Sequence, residues 1–104
     1  MFYAMNRFRI AIGHEAAFED VWKNRDSSLG DMPGFVEFKL LRGETVAEEG
    51  YTLFVSSSIW QDRTAFSAWT KSENFRAAHR NAGDNRAMYL GPPKFESFSV
   101  VEGA

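Results

Sequence analysis

Three residues stand out for chemistry: Asn6, Trp69 and His79. His79 is one of only two histidines in the chain. A neutral imidazole ligates metals or moves protons near neutral pH. It follows Trp69 by ten positions in the stretch AWTKSENFRAAH, residues 68–79. On an unbroken helix that step separates the two by about 15 Å along the axis and roughly 80° around it, too far to share a site. Ser72, with Glu73 and Asn74 behind it, reads as the N-cap of a helix that restarts in a new direction after a stop near Lys71. A kinked pair of helices then has a gap between its arms. His79 repeats the stripe of Phe75 and Ala78 at i, i+3 and i+4, which turns it inward; its other reading is a helix-end histidine bonded to the last carbonyls. Asn6 interrupts an alternating apolar face, where asparagine is unusual and its amide needs partners. It is either a satisfied core amide or a polar donor over a ligand pocket. Trp69 on its own is core mass. His14, at an exposed helix start whose positive end disfavours imidazolium, reads as surface.

The elements that must hold these residues follow from periodicity. Residues 2–10 alternate, with Phe2, Ala4, Asn6, Phe8 and Ile10 on one face and Tyr3, Met5, Arg7 and Arg9 on the other, which predicts a strand. Residues 14–29 carry Ala17, Phe18, Val21, Trp22 and Arg25 at helical spacing, and GDMPGF ends them. Residues 35–42 predict a second strand, with Val36, Phe38 and Leu40 opposed to Glu37 and Lys39. A polar connection, GETVAEEG, leads by a hairpin to a third strand over residues 51–60. Asp62 is the expected N-cap of the next helix, whose inward stripe is Ala65, Phe66 and Trp69. The segment NAGDNRAMYLGPP, residues 81–93, predicts a long loop of the kind that often forms a lid, and residues 94–101 predict a final strand. The order strand, helix, strand, strand, helix, strand is the ferredoxin-like α+β plan, a single domain over residues 1–104 with two helices on one sheet face. The other face stays apolar and open, and a homodimer packed sheet on sheet is the simplest cover.

Composition narrows the function. The chain has 104 residues, 44% of them hydrophobic and 15% aromatic, enough for one core. A net charge of −2 offers no basic footprint for nucleic acid. The absence of cysteine excludes thiolate metal sites, disulfides and nucleophilic thiols. The N-terminus lacks a basic region before an apolar run, and no stretch approaches the length of a membrane span, so a soluble cytoplasmic protein is expected. No Ser/His/Asp set, glycine-rich phosphate loop or carboxylate cluster with metal spacing occurs, and Glu44, Glu48 and Glu49 read as a solvated loop.

MNRF on the first strand, MPGF before the second and WQDRTAFSAWTKSENFRAAHR from Trp60 together resemble the antibiotic-biosynthesis-monooxygenase superfamily. They resemble most closely its haem-degrading branch, the IsdG-like monooxygenases. The resemblance covers roughly residues 2–101, and AFSAWTKSENFRAAH is its most specific part. It implies that Asn6, Trp69 and His79 line a haem pocket. His79 would be the proximal iron ligand, Asn6 a distal hydrogen-bond donor, and Trp69 a wall that presses the porphyrin out of plane. Trp22 matches a pocket-lining aromatic position, and Phe8, Phe66 and Phe75 would complete an apolar slot for the plate. Haem would then be substrate and cofactor at once, consumed with O2 and an electron donor or reductase to give a bilin-type product and free iron. The alternatives are a cofactor-independent monooxygenase acting on an aromatic polyketide, or a haem-binding protein without turnover. After His79 the chain matches no motif of the family, which leaves the propionate contacts open.

Overall fold

The computed structural model describes residues 1–25, 29–72 and 87–104. Its elements are β1 (Phe2–Ala11), α1 (Glu15–Lys23), a 3-10 turn (Leu29–Asp31), β2 (Phe35–Val46), β3 (Tyr51–Trp60), α2 (Arg63–Thr70) and β4 (Lys94–Ser99). The four strands form one antiparallel sheet in the order β2-β3-β1-β4. That is the expected ferredoxin-like arrangement.

The alternation expected in β1 holds. Phe2, Ala4, Phe8 and Ile10 are buried, and Asn6 lies among them half-buried. The antiparallel register continues that face across the sheet, placing Asn6 opposite Ser56 of β3 and Phe95 of β4, and Ser56 opposite Leu40 of β2. The reverse face carries half-buried Tyr3, Met5, Leu53, Val55 and Ile59, with Leu41 and Phe98 exposed.

Several boundaries differ from the sequence reading. The helix expected over residues 14–29 ends at Lys23, where Asn24 closes it by donating its backbone N–H to the Asp20 carbonyl at 3.0 Å. β2 runs on to Val46 because the polar connection pairs with β3 through an irregularity between Arg42 and Thr45. A second irregularity, between Phe35 and Glu37, shifts the expected alternation. Val36 is therefore exposed, while Phe35 turns inward against Trp60 at 5.5 Å between ring centroids. β4 stops at Ser99, two residues before the expected end.

A carboxylate accepts hydrogen bonds at the start of each helix, and at α1 one of them comes from the sheet. Glu15 accepts hydrogen bonds from the Gly13 N–H and the Thr52 hydroxyl, each at 2.8 Å, and these bonds hold its carboxyl below the usual range. Asp62 caps α2 as expected, accepting from the Ala65 N–H at 2.8 Å, a contact worth about 1 kcal/mol. Gly34 lets α2 approach: its φ is +82°, and a Cβ added there would sit 2.5 Å from the Cβ of Ala65.

Gly34→Ala combines a left-handed backbone with that overlap, so it should cost about 2 kcal/mol or more. At this chain length the loss corresponds to a fall of about 10 °C in melting temperature. An unchanged thermal melt would contradict the packing of α2 described here.

Candidate functional site

The inward face of the sheet carries two separate aromatic clusters. One joins Phe2, Ala4, Leu29, Trp60 and Trp69; the other joins Phe8, Ile10, Phe18 and Phe54. Between them lies the row Leu40–Ser56–Asn6–Phe95, whose middle is small and polar. The β1 residues on either side of Asn6 on this face, Ala4 and Phe8, belong to opposite clusters, each about 7 Å from it along the strand.

α2 supplies one wall. Trp69 is 6% exposed and packs on Trp60 at 5.6 Å between ring centroids. Phe66 lies 6.3 Å from Trp69 and stacks on Phe95, the strand partner of Asn6, at 5.8 Å and 11°. The helix ends at Thr70, as the sequence suggests. Lys71 is its C-cap, and the Ser72 hydroxyl donates to the Trp69 carbonyl at 2.6 Å. His79 and Phe75 lie outside the described residues, and so does the expected restart of the helix.

α1 supplies the other wall. Trp22 meets Phe8 edge-on at 5.8 Å and stacks on Phe38 at 5.6 Å and 15°. The guanidinium of Arg25 sits 4.3 Å over the same indole. Its Nε is buried without a hydrogen-bond partner among the described residues, and burial lowers its pKa, opposed by the nearby Tyr89 phenol. Tyr89 is in turn raised by burial. Part of the segment expected to be a loop thus joins the core: Tyr89 bridges to Ile10 and packs against Phe8 and Phe18 at 6.1 and 5.9 Å.

A cavity of about 310 Å³ opens between α1 and β2. Phe38, Leu40 and Phe54 floor it, beside Trp22. Glu19, Lys23 and Arg42 stand at its rim, and Arg42 donates to Glu19 at 3.0 Å. Because Leu40 shares the row of Ser56 and Asn6, the cavity lies at the β2 end of the polar gap.

Of the expected site residues, Trp69 and Phe66 belong to one of the clusters that flank Asn6 and Trp22 packs against the other, and of these four only Trp22 lines the cavity. Arg25, Arg42 and Tyr89 were not singled out as site residues. Arg25 did carry a signal, since it shares the helical stripe of Trp22. The pairing of Arg42 with Glu19 joins positions 23 residues apart and has no local signature. Among the described residues no group of three or more His, Cys, Asp or Glu could hold a metal ion. No described helix is long and apolar enough to cross a membrane.

Comparison with known proteins agrees with this architecture. Residues 1–81 match the Antibiotic biosynthesis monooxygenase family. A heme-degrading monooxygenase of Bacillus anthracis (strain A0248) is 30% identical over 73 residues, 64% of this chain and 66% of that relative, so the match spans just under two thirds of the relative's length. The heme-degrader MhuD of Mycobacterium tuberculosis, solved with two hemes bound in its active site, superposes with a TM-score of 0.73 at 24% identity, covering 97% of this chain and 96% of that one. SnoaB, a cofactor-independent oxygenase of Streptomyces nogalater, superposes with a TM-score of 0.68 at 25% identity, over 97% and 93% of the two chains.

Proposed function

Because the chain belongs to the antibiotic biosynthesis monooxygenase family, we propose that its activity is haem degradation: oxidative cleavage of the porphyrin ring to a bilin-type product, with release of iron. The observation that carries the reading is the small polar row Ser56–Asn6 set between two aromatic clusters. A flat, largely apolar plate with one polar centre fits such a slot. The names of the Bacillus relative and of MhuD support the same reading.

Haem supplies the redox chemistry as substrate and cofactor together, with O2 and an external electron donor. The protein's part is to bind, orient and exclude water. His79 is the proposed proximal ligand. The Asn6 amide would serve as a hydrogen-bond donor toward the bound plate, and a preorganised donor acts on the transition state more than on binding. Trp69 would press on one side of the plate from α2, with Phe66 and Trp22 as lining residues. One unit over residues 1–104 holds the site, in a cytoplasmic protein. The open apolar sheet face carrying Tyr3, Leu53 and Phe98 fits a homodimer. Sedimentation should give a mass of two chains, and a stable monomer would refute that assembly.

SnoaB supports a second reading, a cofactor-independent monooxygenase acting on an aromatic substrate in the same gap. Hemin titration separates the two. Haem degradation requires one hemin per chain with a Soret band that collapses under oxygen and reductant, and His79→Ala should lose the normal ligand spectrum. Asn6→Ala should keep hemin affinity while slowing single-turnover bleaching by about a hundredfold. Absence of a Soret complex in the wild type would refute haem as the substrate. Wild-type bleaching by Asn6→Ala would remove Asn6 from the chemistry.

A further inference from the structure

The cavity between α1 and β2 combines an apolar floor with a charged rim, and its position bears on how the ligand is oriented. Leu40 on that floor is two strand spacings from Asn6 along one row, about 10 Å. A plate lying over Asn6 and extending toward β2 brings its edge to this rim. There Arg42 holds its guanidinium 5.7 Å from the Phe54 ring while donating to Glu19 at 3.0 Å. The two side chains are 52% and 27% exposed, so the ion pair contributes little to stability and is readily exchanged. Lys23 stands one turn beyond Glu19 on the same helix and forms no ion pair among the described residues.

We infer that Arg42 seats a carboxylate of the flat ligand at the β2 end of the gap, with Glu19 passing from Arg42 to Lys23 as that carboxylate arrives. The inference rests on the haem reading, in which the carboxylate is a propionate. Arginine's planar fork matches a carboxylate with two parallel hydrogen bonds. The Glu19–Lys23 spacing of i, i+4, with the acid nearer the helix N-terminus, is the favourable orientation for a helix ion pair. The exchange leaves every charge at the rim partnered and adds one ion pair to the complex. It also fixes which edge of the plate faces β2, and hence which edge faces the α2 wall.

The test titrates hemin and hemin dimethyl ester, whose carboxylates are capped, into the full wild-type chain, Arg42→Met and Glu19→Gln, reading affinity from the Soret band. Arg42→Met should weaken hemin about tenfold and leave the ester unchanged. Glu19→Gln removes the competing carboxylate, so it should tighten hemin and leave the ester unchanged. Equal weakening of both porphyrins by Arg42→Met, or unchanged hemin affinity, would overturn the carboxylate seat while leaving the haem reading intact. A wild type that takes up neither porphyrin overturns the haem reading and this assignment with it.

Discussion

Ser56 and Asn6 lie side by side across the centre of the helix-facing sheet surface, where a domain of this size ordinarily places its largest apolar side chains. Polar groups at such a position lose hydration and need hydrogen-bond partners. The core is consequently divided, and each half must be cohesive by itself. On one side Trp60, fully buried, packs against Phe35, Phe66 and Trp69 at 5.5–6.0 Å. Its indole N–H donates to the Ser58 hydroxyl at 3.0 Å, so the polar atom at that position is used within the fold. On the other side Phe18 meets Phe8 and Phe54 at 5.3 and 4.9 Å. Tilted aromatic pairs of this kind add roughly 0.5–1.5 kcal/mol each beyond their buried area.

The division has a consequence for α1 and α2. Each helix is anchored at its start by a carboxylate, Glu15 or Asp62, and each presents a tryptophan near its end, Trp22 or Trp69. Trp69 belongs to one cluster and Trp22 packs against the other, on either side of Asn6 along the sheet. Arg25 stacked on Trp22 stiffens one wall at the cost of partly burying a cation. Among the described residues the middle of this sheet face is small and polar, with the aromatic clusters to either side.

Much of this was legible in the residues. Strict alternation in β1 placed Asn6 on the inward face, and the stripe of Ala65, Phe66 and Trp69 assigned the inner side of α2. The end of α2 was legible from Lys71 and Ser72, with Lys71 as its C-cap. What escaped depended on pairing between distant segments. Val36 looked inward by parity until an irregularity opposite Trp60 reversed it. GETVAEEG read as a loop because its polarity hides a ladder with β3, in which Thr45 and Thr52 share a hydrogen bond at 2.8 Å. Tyr89, in a stretch rich in glycine and proline, joins the core only because Leu90 and Arg9 exchange backbone and side-chain hydrogen bonds. The small size of Ser56 carried no meaning until the register set it beside Asn6.

The central claim is that the space over Ser56 and Asn6 receives the ligand. The most direct measurement is the hemin affinity of Ser56→Leu, which adds apolar volume beside Asn6 while leaving Asn6, Trp69 and His79 themselves unsubstituted. The account predicts a folded protein that no longer forms the Soret complex. A folded Ser56→Leu that binds hemin as tightly as the wild type would contradict it.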